Sequence, residues 1–185
     1  IPIRDEDVSA IVRPCFIPRS PDRYIGEHDF GSIEVKVSVC YNKDPQLLKY
    51  IRDDSTDMHR DMAMQCFILK LEQMEKTIRY CAKNMFVFPQ FYGDWYLSCC
   101  QSLWTAIDRL HLKTADGVPL KKHLRKQGIR KLGLCDPKVE TVPGTFEHHI
   151  KQVEKDFWGN RFQVYDQWRK DWWDGYQEQG YFDTL

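Results

Sequence analysis

Amphipathic runs that follow helix-start signals recur over residues 43–112, and this pattern favours helices throughout that part of the chain. In KDPQLLKYIRDD, Pro45 stands at a helix-opening position, and the apolar residues Leu47 and Ile51 lie one turn apart. Capping residues at 55–57 open a second run. We therefore predict helices over 43–54, 55–74, 75–88 and 94–112.

The first forty residues show extended patterning instead. The stretch IVRPCFIPRSPDRYIGEHDF predicts an extended segment over 12–17, a proline-rich turn over 18–22 and a strand over 24–29. In SIEVKVSVCY, at 32–41, apolar and polar residues alternate. That period by itself predicts another strand.

The composition changes after residue 112. Over 113–145, glycines and prolines interrupt a basic stretch, KKHLRKQGIRK, and this predicts an excursion or subdomain with one short helix. The tail that follows is rich in aromatic residues and predicts one or two long helices that break near Gly159.

Composition and charge narrow the class of protein. There are 27 basic and 27 acidic residues, so any affinity for nucleic acid must come from local clusters. An aromatic content of 14% argues against disorder, and no apolar run approaches the roughly 18 residues that span a bilayer. Seven scattered cysteines indicate reduced thiols in an intracellular protein. Because the chain lacks an initiator methionine and stops within GYFDTL, we expect a fragment of a larger or split protein.

Three stretches, in order, resemble the family A (DNA polymerase I-like) DNA polymerases, most closely their bacteriophage members. The first comprises IPIR, RPCFIP and HDFGSIEVKVSVCYNKDPQLLKYIRDDSTDMH. The resemblance places Asp29 on the metal-binding aspartate of the palm and Glu34 on the glutamate that crowds the sugar 2′ position. It places His59 on the histidine that faces the incoming triphosphate. Phe30 and Lys36 depart from the tyrosine and arginine of the family pattern.

The second stretch, RYCAKNMFVFPQFYG, is similar to the fingers signature of the same family. Arg79 and Lys83 match at the family separation, and Tyr92 with Gly93 matches its Tyr-Gly pair. One residue too many lies between the lysine and the tyrosine.

That extra residue leaves open which aromatic side chain stacks on the incoming nucleotide. Counting back from Tyr92 selects Phe88, which we prefer, whereas counting forward from the lysine selects Val87 with Phe86 beside it. Pro89 removes one backbone donor from this segment, so the straight helix of the family must kink or bulge here.

The third stretch, RFQVYDQWRKDWWDGYQEQGYFDTL, resembles the segment that follows the fingers. The resemblance implies an α+β, mostly helical fold that combines part of a polymerase palm, with short antiparallel strands, and helical fingers. It also replaces the strand predicted over 32–41 with a helix. The implied domains are 1–60 for the first part of the palm, 61–156 for the fingers with a basic insertion, and 157–185 for the helix that returns to the palm.

The implied activity is template-directed DNA synthesis, in which two Mg²⁺ ions assist transfer of a deoxynucleotide to a primer 3′-hydroxyl. Asp29 would supply a metal ligand, although the same residue type also caps helices. Arg79 and Lys83 lie one helical turn apart and are suited to clamp phosphates, and Lys83 is also placed to protonate the leaving group. Solvated surface charge is the alternative for both cations. The implied nucleotide-binding residues are Glu34, His59, Arg79, Lys83, Phe88 and Tyr92.

The resemblance and the basic stretch together indicate nucleic-acid contacts at Tyr92, Gly93, Lys121, Lys122 and Arg125, although a solvated basic face fits the last three equally well.

The family's second catalytic aspartate lies in a His-Asp-Glu turn, and this tripeptide does not occur in the sequence. The implied partners are therefore primer–template DNA, a dNTP and a C-terminal palm segment from the same parent chain or a separate subunit. We expect these 185 residues alone to incorporate no nucleotide, and we expect a location in the cytoplasm, that of the host cell if the chain is phage-encoded.

Two other readings of the sequence use different residues. Asp22, followed by Glu34 and Lys36, spells the loose Pro-Asp…Glu-x-Lys pattern of metal-dependent nucleases, which would leave Arg79 and Lys83 without a role. A non-enzymatic helical interaction module would instead use an aromatic partner-binding face in the tail. That face would comprise Trp158, Trp168, Trp172, Trp173 and Tyr176.

Overall fold

The structure, a computed structural model, describes residues 15–26 and 33–178. The chain divides into two units, Ile1–Glu34 and Val35–Leu185. None of the helices in the described residues has both the length and the apolar character needed to cross a bilayer.

The described part of the first unit contains a turn and no strand. The backbone N–H of Arg23 donates to the carbonyl of Ser20 at 3.1 Å, which confirms the predicted turn. The described ends of the predicted extended segment and strand, 15–17 and 24–26, form no β-bridge. The remaining residues of both predictions lie outside the described residues.

Nine α-helices follow in the described residues, and several begin at a residue that caps them. Asp44 accepts hydrogen bonds from the N–H groups of Gln46 and Leu47. Asp57 and Thr145 cap two later helices in the same way. The helices are α1 Ile33–Asn42, α2 Pro45–Arg52, α3 Met58–Phe67, α4 Lys76–Ala82, α5 Phe88–Phe91, α6 Tyr96–Arg109, α7 Leu120–Lys126, α8 Phe146–Asp156 and α9 Gln163–Glu178.

Helix α1 occupies the segment whose alternation predicted a strand, so that prediction was wrong and the helix implied by the family resemblance is present. Val35 and Val39 are buried, whereas Val37 is 47% exposed. An alternating apolar run also contains pairs spaced by four, and these pairs share one helix face. Packing of that face selected the helix.

Helix α3 is shorter than the helix predicted over 55–74. It ends at Phe67 because Ile68 adopts a left-handed conformation with φ of 52°, and a short 3₁₀ turn, Leu71–Gln73, follows. The imidazole Nε2 atoms of His149 and His123 lie 3.0 and 2.8 Å from the carbonyl oxygens of Gln65 and Ile68. These ring contacts satisfy carbonyls at the helix end.

Two π-helical turns interrupt otherwise continuous helices. The turn Lys83–Val87 joins α4 to α5, and the backbone N–H of Phe88 bonds to the carbonyl of Lys83, five residues earlier. The turn Phe157–Arg161 joins α8 to α9 and contains Gly159, which confirms the predicted break in the tail.

One hydrophobic core connects the helices of the second unit. Helix α6 packs against α8, and α3 packs against α4 and α8. The largest fully buried side chains include Phe67, Phe86, Phe146, Phe157 and Phe162. The mostly helical fold is therefore confirmed, and the predicted boundaries at residues 60 and 156 stay predictions.

The region 113–145 contains the single short helix that was predicted, α7. In the described ranges, β-structure is limited to two isolated bridges, Lys113–Pro119 and Lys131–Thr145. The short antiparallel strands expected of a palm are not seen in the part of the chain that the structure describes.

Candidate functional site

Predicted nucleotide-binding residues meet where the first turn of α3 faces α4 and α5. The ring centroids of His59 and Phe88 lie 5.7 Å apart, edge to face. The Nζ atom of Lys83 lies 5.1 Å from the centroid of the Phe88 ring, and Tyr92 follows with its ring 6.4 Å from that ring. Arg79 lies one turn before the lysine on α4. We call His59, Arg79, Lys83, Phe88 and Tyr92 the fingers cluster.

Asp57 holds the guanidinium of Arg79 in place. The Nε and NH2 atoms of Arg79 lie 2.6 and 3.1 Å from the two carboxylate oxygens of Asp57. The same carboxylate accepts the backbone N–H of Arg60 and so caps α3. Burial raises the pKa of Asp57, but the bonds from Arg79 and Arg60 outweigh it and leave that pKa below its ordinary value. Sequence reasoning identified Asp57 only as a capping residue.

The imidazole of His59 is buried and uncharged near neutral pH. The residue is 7% exposed, and its Nδ1 atom has no hydrogen-bond partner. Burial, followed by the positive charges of Arg79 and Lys83, lowers the pKa of His59 to about 4, and the opposing effect of Asp57 is smaller. A buried nitrogen without a partner, close to two cations, is suited to an anionic ligand that brings its own donor or acceptor.

The π-turn explains the extra residue counted between Lys83 and Tyr92. In a regular α-helix, residues five apart point about 140° away from each other. Because the turn closes with a bond across five residues, it absorbs one residue, and Phe88 lies on the same side as Lys83. The helix therefore bulges just before Pro89, as the sequence predicted. Phe86 and Val87 are fully buried, which leaves Phe88 as the partly exposed candidate for stacking.

The Tyr92–Gly93 pair ends α5. Tyr92 is 69% exposed, and Gly93 has φ of +86°, a conformation that favours glycine. The N–H of Gly93 bonds to the carbonyl of Gln90, and the N–H of Asp94 bonds to that of Pro89. These bonds close the helix and leave the tyrosine ring at its exposed end.

Gln90 fixes α5 from the core side, and no sequence signal identified it. Its side-chain nitrogen donates to the carboxylate of Glu154, and its oxygen accepts the indole N–H of Trp158 at 2.7 Å. Gln90 is 1% exposed. The fingers cluster is thus anchored to α8 and to the second π-turn through a buried polar network.

The predicted metal and sugar-screening residues, Asp29 and Glu34, belong to the first unit of the chain, whereas the fingers cluster belongs to the second. Asp29 lies outside the described residues, so its predicted role as a metal ligand stays a prediction. Glu34 is exposed in the first turn of α1 and belongs to the first unit. Across residues 15–26 and 33–178, no group of three or more His, Cys, Asp or Glu side chains could hold a metal ion.

The basic residues of α7 differ in their surroundings. Lys121 forms an ion pair with Asp108 and lies over the ring of Trp104, 4.7 Å from its centroid, which holds it against α6. Lys122 and Arg125 are exposed on the outer side of α7. These two residues are therefore the better candidates for contacts with nucleic-acid phosphates, and that role stays a prediction.

The geometry of α1 disfavours the nuclease alternative. In a strand, Glu34 and Lys36 would share one face, whereas in a helix they point about 160° apart. The aromatic face of the interaction-module alternative is also divided. Trp158 is buried and Trp168 is half-buried, whereas Trp172 and Trp173 are 47% and 45% exposed.

Comparison with known proteins supports one family. No curated protein and no solved structure gives a significant match to the chain. The model of DNA polymerase family A matches residues 1–106, a range that holds the whole fingers cluster. Since this match covers more than half of the 185 residues, the chain belongs to DNA polymerase family A.

Proposed function

We propose that the chain provides the incoming-nucleotide site of a DNA polymerase that transfers deoxynucleotides to a primer 3′-hydroxyl. The observation that carries this proposal is the fingers cluster, in which two cations, an uncharged imidazole and a partly exposed aromatic ring lie together within the family match. A triphosphate joined to a base requires both of these surfaces, one cationic and one aromatic.

Each residue of the cluster has a role that follows from its position. Arg79 uses two of its five N–H donors on Asp57, so its remaining donors are held in a fixed orientation for a phosphate. Lys83 lies beside the ring of Phe88, so one nucleotide can place a phosphate near the lysine and its base near the ring. His59 offers its buried nitrogen to the phosphates, and Tyr92 borders the base at the exposed end of α5.

The metal chemistry is part of the proposal. Asp29 would hold Mg²⁺, which supplies neutralisation of phosphate charge and activation of the 3′-hydroxyl when it is bound. Glu34 would exclude a 2′-hydroxyl and so select deoxynucleotides. Template and primer phosphates would contact Lys122 and Arg125.

The nucleotide site is tested by measuring dNTP affinity for the isolated chain by calorimetry in the presence of Mg²⁺. Lys83→Ala should weaken binding about tenfold or more, because it removes a charge-assisted contact to phosphate. Lys155→Ala, a change at an exposed lysine on α8, should alter affinity less than about twofold. Equal affinities for the two variants would contradict the proposed site.

Catalysis is tested separately. We expect no primer extension by the 185 residues alone, because they contain Asp29 but no His-Asp-Glu tripeptide. A gel assay with labelled primer–template, all four dNTPs and Mg²⁺ measures this directly. Extension that depends on Mg²⁺ and is lost in Asp29→Ala would show that one chain suffices.

A further inference from the structure

A cavity of about 970 Å³ lies at the opposite end of α3 from His59. Its walls come from the last turn of α3, the 3₁₀ turn Leu71–Gln73, α7 and α8. Gln65 in the cavity wall follows His59 by six positions on α3, which is about 9 Å along the helix axis. Helices α7 and α8 lie beyond residue 106, so part of the wall is outside the family match.

Two imidazole rings fix the shape of this cavity. His123 is 5% exposed, and the Nε2 atoms of His123 and His149 bond to backbone carbonyls at the end of α3. Burial lowers the pKa of His149, which disfavours a positive charge on its ring. The two held rings therefore give the wall a rigid surface.

One buried acceptor in the wall lacks a donor. The Oε1 atom of Gln65 is buried and has no hydrogen-bond partner. Leaving such an atom unsatisfied is unfavourable, so a bound group with an N–H would gain by pairing with it. Three further glutamines line the cavity, Gln73, Gln127 and Gln152. The amides of Gln127 and Gln152 carry both donors and an acceptor, whereas the oxygen of Gln73 already accepts the N–H of Lys70.

The charges that line the cavity disfavour a polyanion. Lys70 and Lys126 are accompanied by three acids, Glu72, Asp116 and Asp156. This mixture differs from the fingers cluster, where Arg79 and Lys83 set the charge. Aliphatic side chains complete the lining, among them Met64, Ile68, Leu69, Val118 and Val153.

We propose that this cavity binds an uncharged nitrogen heterocycle, of nucleoside size or larger, that donates an N–H to Oε1 of Gln65. The rigid imidazoles and aliphatic side chains contact its faces, and the glutamine amides pair with its polar edge. The site is separate from the proposed dNTP site and does not depend on it.

Titration with adenosine tests the proposal, with adenosine 5′-monophosphate as the charged counterpart. Proton–nitrogen NMR of the labelled chain should show saturable shifts of the Gln65 side-chain amide and of residues around His123 and His149. The monophosphate should bind at least about fivefold more weakly, because its charge meets the three acids. No saturable shift with adenosine, or equal affinity for the monophosphate, would overturn the proposal. Shifts confined to His59 and Phe88 would overturn it too, while supporting the dNTP site.

Two variants locate the site. Gln65→Leu removes the unsatisfied acceptor and should weaken adenosine binding about tenfold, whereas Gln167→Leu, at an exposed glutamine of α9, should leave affinity unchanged. Gln152→Trp changes an exposed residue on the cavity lining and should block binding without disturbing the core. It keeps the test decisive if Gln65→Leu does not fold. Undiminished adenosine binding by a folded variant of either kind would refute the assignment.

Discussion

His59 shows how a single residue can be set for a ligand at a cost in stability. Its ring lies between a carboxylate, two cations and an aromatic side chain, and its Nδ1 atom has no partner in the described structure. A family motif predicted this histidine as a nucleotide-binding residue, but no sequence signal indicated that it would be buried and uncharged. Burial depends on packing by α4 and α5, which a local motif does not contain.

Folding stability should depend on pH through this residue. The pKa of His59 is about 4 in the fold and near 6.5 in an unfolded chain, so the unfolded state binds more protons between these values. The contribution of His59 is therefore full above about pH 6.5 and is lost as the pH falls toward 4. His59→Gln should flatten this dependence by up to about 1.4 kcal/mol per pH unit.

Urea unfolding of the unchanged protein and of His59→Gln at several pH values between about 4.5 and 7.5 measures this effect. His149 also has a lowered pKa, so both proteins should retain some pH dependence, and the difference between them isolates His59. Parallel stability curves for the two proteins would refute a depressed pKa at this position.

At the scale of elements, the π-turn Lys83–Val87 lets one helix bury two residues in the core and still place two others together on its outer face. Phe86 and Val87 pack in the core, while Lys83 and Phe88 must share the outer face. The sequence indicated a kink or bulge because Pro89 lacks an N–H, and the surplus residue marked the same place. The type of bulge could not be predicted, because it depends on which side chains the neighbouring helices bury.

Removing the surplus residue should convert this turn into an α-helix. Deleting Asn84 together with Pro89→Ala should cost less than about 2 kcal/mol, because residues on either side keep their faces and the proline clash is gone. Deleting Thr105 from α6, which has no such turn, rotates every later residue of that helix by about 100° and should cost more than about 3 kcal/mol. Urea unfolding of the two deletion variants and of the unchanged protein measures both losses of stability. Equal losses would mean that the turn does not absorb a residue.

At the scale of the whole molecule, local sequence signals predicted most helix starts. The features that they did not predict depend on contacts between residues far apart in the chain. Asp57 was among the predicted capping residues and lies beside the N–H group that it accepts, and Pro45 marked the start of α2. The end of α3 could not be predicted from the sequence, because carbonyls there bond to His123 and His149, which lie far along the chain. The members of the fingers cluster followed from family motifs. Its dependence on Asp57 and Gln90 arises from tertiary packing.

Binding to DNA should depend on the exposed face of α7. Arg125→Glu should weaken binding of primer–template DNA and reduce the magnitude of the slope of log affinity against log salt by about 1, because it removes one phosphate contact. The affinity for a dNTP should not change, because the residue is not in the fingers cluster. Fluorescence anisotropy between about 50 and 200 mM KCl measures the slope. An unchanged slope would assign α7 to a solvated surface.

The carboxylate of Asp57 also has a kinetic consequence. It joins the start of α3 to an arginine of α4, so the proposed triphosphate site is assembled before any nucleotide arrives. A preorganised receptor loses little conformational freedom on capture. Substitutions next to the Asp57–Arg79 pair should therefore shorten the residence time of the nucleotide while leaving its association rate nearly constant.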